Sequence, residues 1–275
     1  MTKIDLGGVS DIIKRSVRVY HREGPDRFVF YGIRYFSWKL RFHRLVRSLP
    51  EPTRTAVFKV IRYLLRKAVW ILNKRYPDRY TDADPYKYIY VDPSEIQYTT
   101  GEIFSKRRGW AVDGDWDLNG DRYMDRTFAS AIEQRFVDGL DWEETILTDK
   151  YEGRIFEERT EAIDRLYRNI REDGYKSQRQ LLKEDPETAW SDLNDAMHPL
   201  LNEVAVDIGR DGELLWNICG QHRLAIARIL DVDRIPVQVF RRHAKWQKLR
   251  NATKDGKQPS ESVRDHPDLQ DVLNE

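Results

Sequence analysis

In "NICGQHRLAIARILDVDRIPVQVF" (217–240) an apolar run ends at a glycine and a helical pattern begins at once, a junction that constrains the fold more than any other stretch. The residues before Gly220 read as a strand, while Ile226, Ile229 and Leu230 fall at i, i+3 and i+4 on one helical face. Gly220 is therefore a strand-to-helix turn. There the backbone can approach a ligand closely, and the free N–H groups and positive dipole end of the following helix favour an anion, phosphate above all. Beside Gln221, Arg223 suits a bidentate phosphate contact, and His222 can donate to a phosphate oxygen. The competing role for Arg223 is a pair with a surface acid. Arg241, Arg242 and His243 after the next strand either add charge to the same end or form a solvated strand end.

The flanking segments supply the other elements. "YKYIYVDPSEI" (86–96) reads as a strand entering a turn at Asp92-Pro93. Phe128, Ile132 and Phe136 carry helical spacing closed by Gly139, and Ile163, Leu166, Tyr167 and Ile170 mark a helix with Gly174 at its C-cap. "EVAVDIGRDGELLWNI" (203–218) reads as a hairpin turning through Arg210-Asp211-Gly212. "RIPVQVF" (234–240) is the last strand, with Pro236 suggesting a strand start or an edge.

The chain of 275 residues has room for one large domain or two ordinary ones, and its net charge of +1 hides a division. Lys and Arg number 19 against 6 Asp and Glu up to Arg79, then 28 against 40 from Tyr80 onward. Residues 1–80 thus read as a basic, mainly helical module. In "TRTAVFKVIRYLLRKAVWILNKRYP" (53–77), Val57, Ile61, Leu64, Leu65, Ala68 and Leu72 share a stripe, with Lys59, Arg62, Arg66 and Arg75 largely elsewhere and Pro77 ending the helix. "RFVFYGIRYFSWKLRFHRLVRSLP" (27–50) mixes aromatic and basic residues similarly. Packing on the main domain, an anionic membrane surface and, third, nucleic acid all suit such a module. A lone cysteine, Cys219, excludes an internal disulfide framework and cannot build a zinc site alone. With no long apolar span and no signal-peptide pattern at the N-terminus, the expectation is a cytoplasmic protein, at most peripheral to a membrane.

The order strand, helix with Gly cap, hairpin, Gly-X-His-Arg turn, helix, Ile-Pro-Val strand resembles the ParB N-terminal and sulfiredoxin-like superfamily. The resemblance implies a small mixed-sheet α/β domain over 86–247, interrupted by an insertion at 98–156; the basic module precedes it, and the polar composition of 248–275 reads as a flexible tail. The resemblance also implies nucleotide phosphates held at Gly220, Gln221, His222 and Arg223. The departures narrow it. Sulfiredoxins need cysteine where Gln221 stands, and Cys219 comes two positions too early. ParB partition proteins continue into a DNA-reading domain that the short tail lacks. The turn is nearest to kinases of the same scaffold that phosphorylate free serine. This branch implies phosphoryl transfer from ATP or ADP, with CTP as a further candidate nucleotide, to a small hydroxyl acceptor. The alternative is a non-catalytic nucleotide-dependent switch docking through the basic module.

"FSKRRGWAVDGDWDLNGDRYMD" (104–125) concentrates the remaining charge. Asp115, Asp117, Asn119 and Gly120 match the opening of a calcium loop, but the twelfth position is Arg126 rather than a bidentate Glu, which argues against an EF-hand. Asp115 and Asp117 remain candidates for a Mg2+ site between carboxylates and phosphates, or for the catalytic base, and Arg107 or Arg108 for charge neutralisation. The plainer reading is a turn-rich loop of solvated acids anchored by Trp110 and Trp116.

Overall fold

A computed structural model describes residues 24–28, 42–101, 108–190 and 196–274. Residues 1–57 and 58–275 form separate compact units. In the first, α1 (Phe42–Arg47) is followed by Pro50 and the start of α2 (Glu51–Arg75), whose first turn accepts Pro52 because its N–H would be unpaired there anyway. The division between units falls inside α2. Most of the aromatic and basic stretch 27–50 lies outside the described residues.

The second unit is a mixed α/β fold. Its sheet contains β1 (Tyr88–Val91), β2 (Tyr98–Thr99) and β3 (Trp110–Val112). Helices α3 (Thr127–Phe136), α4 (Gly153–Asp173), α5 (Gln178–Glu184) and α6 (Pro186–Ala189) follow, then β4 (Val204–Ile208) and β5 (Leu214–Trp216). After α7 (Gln221–Ile229) and β6 (Ile235–His243) the chain ends in α8 (Ala244–Lys254), α9 (Glu261–Arg264) and α10 (Gln270–Leu273). The strand order is β1-β6-β4-β5-β2, with β3 added to β6. The β4–β5 hairpin is antiparallel, whereas β6 runs parallel to β4 and β3 and antiparallel to β1.

Every residue of β6 is buried, as a central strand covered on both faces requires. Alternation sorts the two faces. Val204, Val206 and Ile208 of β4 join Val237 and Val239 of β6 in the main core, which α3, α4 and α7 cover with Phe128, Ile132, Ile163 and Ile226. Ala205, Cys219 and Phe240 form a small cluster apart from that core. Between Val206 and Ile208 one residue of β4 stands opposite two of β6, a bulge that sets Asp207 beside Arg241. Arg241 Nε donates to Asp207 at 2.7 Å, Asn217 Nδ2 to both carboxylate oxygens at 3.0 Å, and the guanidinium lies 3.8 Å from the Trp116 ring centre. This buried group ties β4 and β6 to the residue that follows β5.

Several expectations need correction. Residues 98–156 are more than an insertion, because β2 and β3 lie within them and β3 pairs with the central strand. Trp110 and Trp116 there are buried packing anchors. Pro236 begins a strand but not an edge: β6 has partners on both sides, and Pro236 stands opposite Tyr90. Arg241, Arg242 and His243 are buried rather than solvated. The tail is folded. Leu269 and Val272 enter the main core, and Asp268 accepts from Arg242 and from Trp246 Nε1 (3.0 Å). Arg250 donates to Asp271 at 2.7 Å and Asp82 at 2.8 Å. A polar sequence hid this order because buried ion pairs, not apolar periodicity, hold the segment.

Candidate functional site

Gly220 stands at the N-cap of α7 with φ 72° and ψ 25°, a left-handed conformation that glycine adopts without a Cβ penalty. A Cβ here would lie 2.6 Å from Val204 Cα. The close backbone approach predicted for a ligand is therefore made to β4. Gly220 has no side chain with which to cap α7.

The next residues face inward. The Gln221 carbonyl accepts from the Tyr123 hydroxyl. His222 packs edge-on against Phe128 at 4.6 Å, and burial, with Arg159 nearby, pulls its pKa down to about 4. At neutral pH it is uncharged and can offer one N–H only. Arg223 is buried and pairs with Glu203 at 3.5 Å, donates to the Lys176 carbonyl, and lies 4.4 Å from the Tyr175 ring centre. Glu203 also accepts from Tyr175 Oη (3.2 Å) and Gln178 N (2.7 Å). Burial raises the Glu203 pKa, against the opposing pull of Arg223. Arg223 thus has an acidic partner, but a buried one, and its Nε has no hydrogen bond.

Arg107 lies outside the described residues, whereas Arg108 is 7% exposed. Its guanidinium lies 4.2 Å from the Phe240 ring centre and 4.9 Å from that of Tyr86, with a long 3.4 Å contact to the Pro85 carbonyl. Burial lowers its pKa to about 10, while Tyr86 and Cys219 pull the other way. It remains charged at neutral pH. Two arginines not singled out by the sequence lie around it: Arg62 of α2, 5.5 Å from the Tyr86 ring centre, and Arg179 of α5, 5.2 Å from that of Tyr88. Among the described residues none of these three pairs with a carboxylate; neighbouring Asp84 is taken by Arg66 at 2.8 Å. Arg62 was detectable in principle, since it lies one turn after buried Phe58 on the inward face of α2. Arg179 carried no periodic signal.

The strand register brings this cluster near the turn. Tyr88 stands opposite Gln238, Gln238 opposite Ala205, and neighbouring Val204 lies against Gly220. One lateral row thus links the arginine cluster to the start of α7.

Asp115 and Asp117 are elsewhere. Arg210 at the β4–β5 turn holds Asp117 through its backbone N–H and Nε, each at 2.8 Å, and reaches Asp115 at 2.8 Å. Gly220 adjoins Val204 at the start of β4, so at about 3.3 Å per residue the acids stand roughly 20 Å away. They cannot share a phosphate with the Gly220 turn. Their orientation by Arg210 also does not fit a Mg2+ site, and among the described residues no group of three His, Cys, Asp or Glu is placed to hold a metal.

No protein-family model matches the chain, and no curated protein or solved structure matches it either.

Proposed function

We propose that the protein binds a phosphate-bearing small molecule, with nucleoside di- and triphosphates the leading class, where Arg62, Arg108 and Arg179 surround Tyr86 and Tyr88. The observation that carries this reading is a buried guanidinium, Arg108, flanked by two further arginines, without a carboxylate partner among the described residues. Burying an unpaired charge is costly, and a polyanion offsets that cost. Planar guanidinium groups fit phosphate oxygens in pairs. Arg179 is exposed, Arg62 half-buried and Arg108 buried, so the charges lead inward from solvent.

Binding is better supported than transfer. With Asp115 and Asp117 remote, the carboxylates described at this end are already engaged, Glu203 by Arg223, Tyr175 and Gln178 and Asp84 by Arg66. Calorimetry with ATP, ADP, CTP, pyrophosphate and inorganic phosphate tests the reading. Arg108→Met should weaken binding of the best of these by about 1.5–3 kcal/mol, the scale of a hydrogen bond to a charged group. Its melting temperature without ligand should hold or rise, because an unpaired buried charge is gone. Lower stability with unchanged affinity would assign Arg108 to packing alone.

A further inference from the structure

The outward face of α2 carries a second kind of surface. Val60, Tyr63, Leu64, Trp70 and Ile71 are each more than half exposed, and their spacing of i, i+3, i+4, i+10 and i+11 aligns them along one stripe. Lys59, Lys67, Lys74 and Arg75 are exposed on the same side of the helix, whose only acid is Glu51 at its start. Lys74 Nζ lies 3.7 Å from the Trp70 ring centre, and Lys67 lies 5.5 Å from it and 5.9 Å from that of Tyr63. Phe58 and Val69 on the opposite face are buried, Phe58 against Tyr86 and His198, Val69 over Gly109. The helix cannot turn its apolar stripe inward without exposing those two.

We propose that this face of α2 docks the protein on an anionic lipid bilayer, with Leu64, Trp70 and Ile71 at the level of the headgroups and the lysines on the lipid phosphates. Three features select this occupant. Lysines and tryptophan around an aliphatic stripe match the bilayer interface, where long stems reach the headgroups while apolar side chains enter the acyl boundary. Nucleic acid would use the cations and rings but leave Val60, Leu64 and Ile71 without a favourable partner. A second copy of this chain would bring Lys67 and Lys74 against like charges, with no acid on either face to pair them. Docking is along the surface: none of the described helices is long and apolar enough to cross a membrane.

The full chain should sediment with vesicles of phosphatidylcholine and phosphatidylserine and far less with phosphatidylcholine alone. Replacing the apolar stripe (Leu64→Ser, Trp70→Ser and Ile71→Ser together) should weaken this by more than about tenfold, and Lys67→Glu with Lys74→Glu should remove its salt-sensitive part. Both variants change exposed side chains and should keep the parent melting temperature. Trp70→Phe gives a reading independent of them: the emission difference from the parent chain, which isolates Trp70, should move to the blue with anionic vesicles only. Unchanged sedimentation of both variants, or an unmoved Trp70 emission, overturns the proposal. So does salt-steep binding to duplex DNA or RNA without vesicle binding, or a dimer that the serine variant dissolves.

Discussion

A buried guanidinium 3.5 Å from a fully buried carboxylate makes the consequence of removing either one calculable in sign. Arg223→Ala would leave Glu203 unpaired in the interior, a change that costs about 3–5 kcal/mol in comparable buried pairs. Replacing both partners, Arg223→Met with Glu203→Gln, should recover much of that loss, since no buried charge then remains. Urea denaturation of the two single variants and the double one measures the coupling, and additive losses would deny the pair. Gly220→Ala should cost about 1–2 kcal/mol for the left-handed backbone alone. The Cβ contact with Val204 adds to it, so a variant of parent stability would deny this geometry. The sequence singled out these residues, and the structure sets a neighbouring strand against Gly220 and a buried rather than a surface acid beside Arg223. A glycine before a helix reads the same whether the group it approaches is phosphate or a neighbouring strand, and the partner of Arg223 lies twenty residues earlier in a segment with no local signature.

At the scale of elements, the hairpin, the helix capped by Gly174 and the strand-turn-helix at Gly220 were legible because each is set by local periodicity and turn chemistry. The C-terminal helices were not, since Arg242, Arg250, Asp82, Asp268 and Asp271 find one another across long stretches of chain. Their titration separates the tail from the sheet. Burial would raise the carboxyl of Asp268, but Arg242 and Arg250 outweigh it and hold the pKa below the ordinary value; Arg250 does the same for Asp82 and, with Lys87, for Asp271. Folded values below unfolded ones mean stability that is present above about pH 4 and lost as the pH falls through the folded values. Glu203 and Asp207 have the opposite sign, because burial raises both, so protonation of these two favours the folded sheet. Below about pH 4, amides of α8 and α10 should therefore lose hydrogen-exchange protection before those of β4 and β6. Simultaneous loss at both places would mean that the tail pairs do not govern this transition.

For the whole molecule, the charge division in the sequence and the structural division do not coincide. The basic composition runs to about residue 80, yet the compact unit containing the sheet begins at Phe58. A helix rich in Lys and Arg reads as a separate module by composition, while its contribution to a core depends on a few positions on its inward face. Those positions decide where the chain can be cut. Phe58 stacks on His198 at 4.1 Å, Val69 covers Gly109, and Tyr80 is fully buried beside Trp110. Burial of each such side chain contributes about 1.5–3 kcal/mol. Losing all three removes an amount comparable with the roughly 5–15 kcal/mol of a typical domain. A chain beginning at Asp82 should therefore lack a cooperative thermal transition, whereas one beginning at Glu51 should keep both the transition and the proposed anion binding. Differential scanning calorimetry and the same phosphate titrations check both ends of the argument. A cooperative, anion-binding 82–275 would place the boundary where composition changes and reduce α2 to a surface attachment.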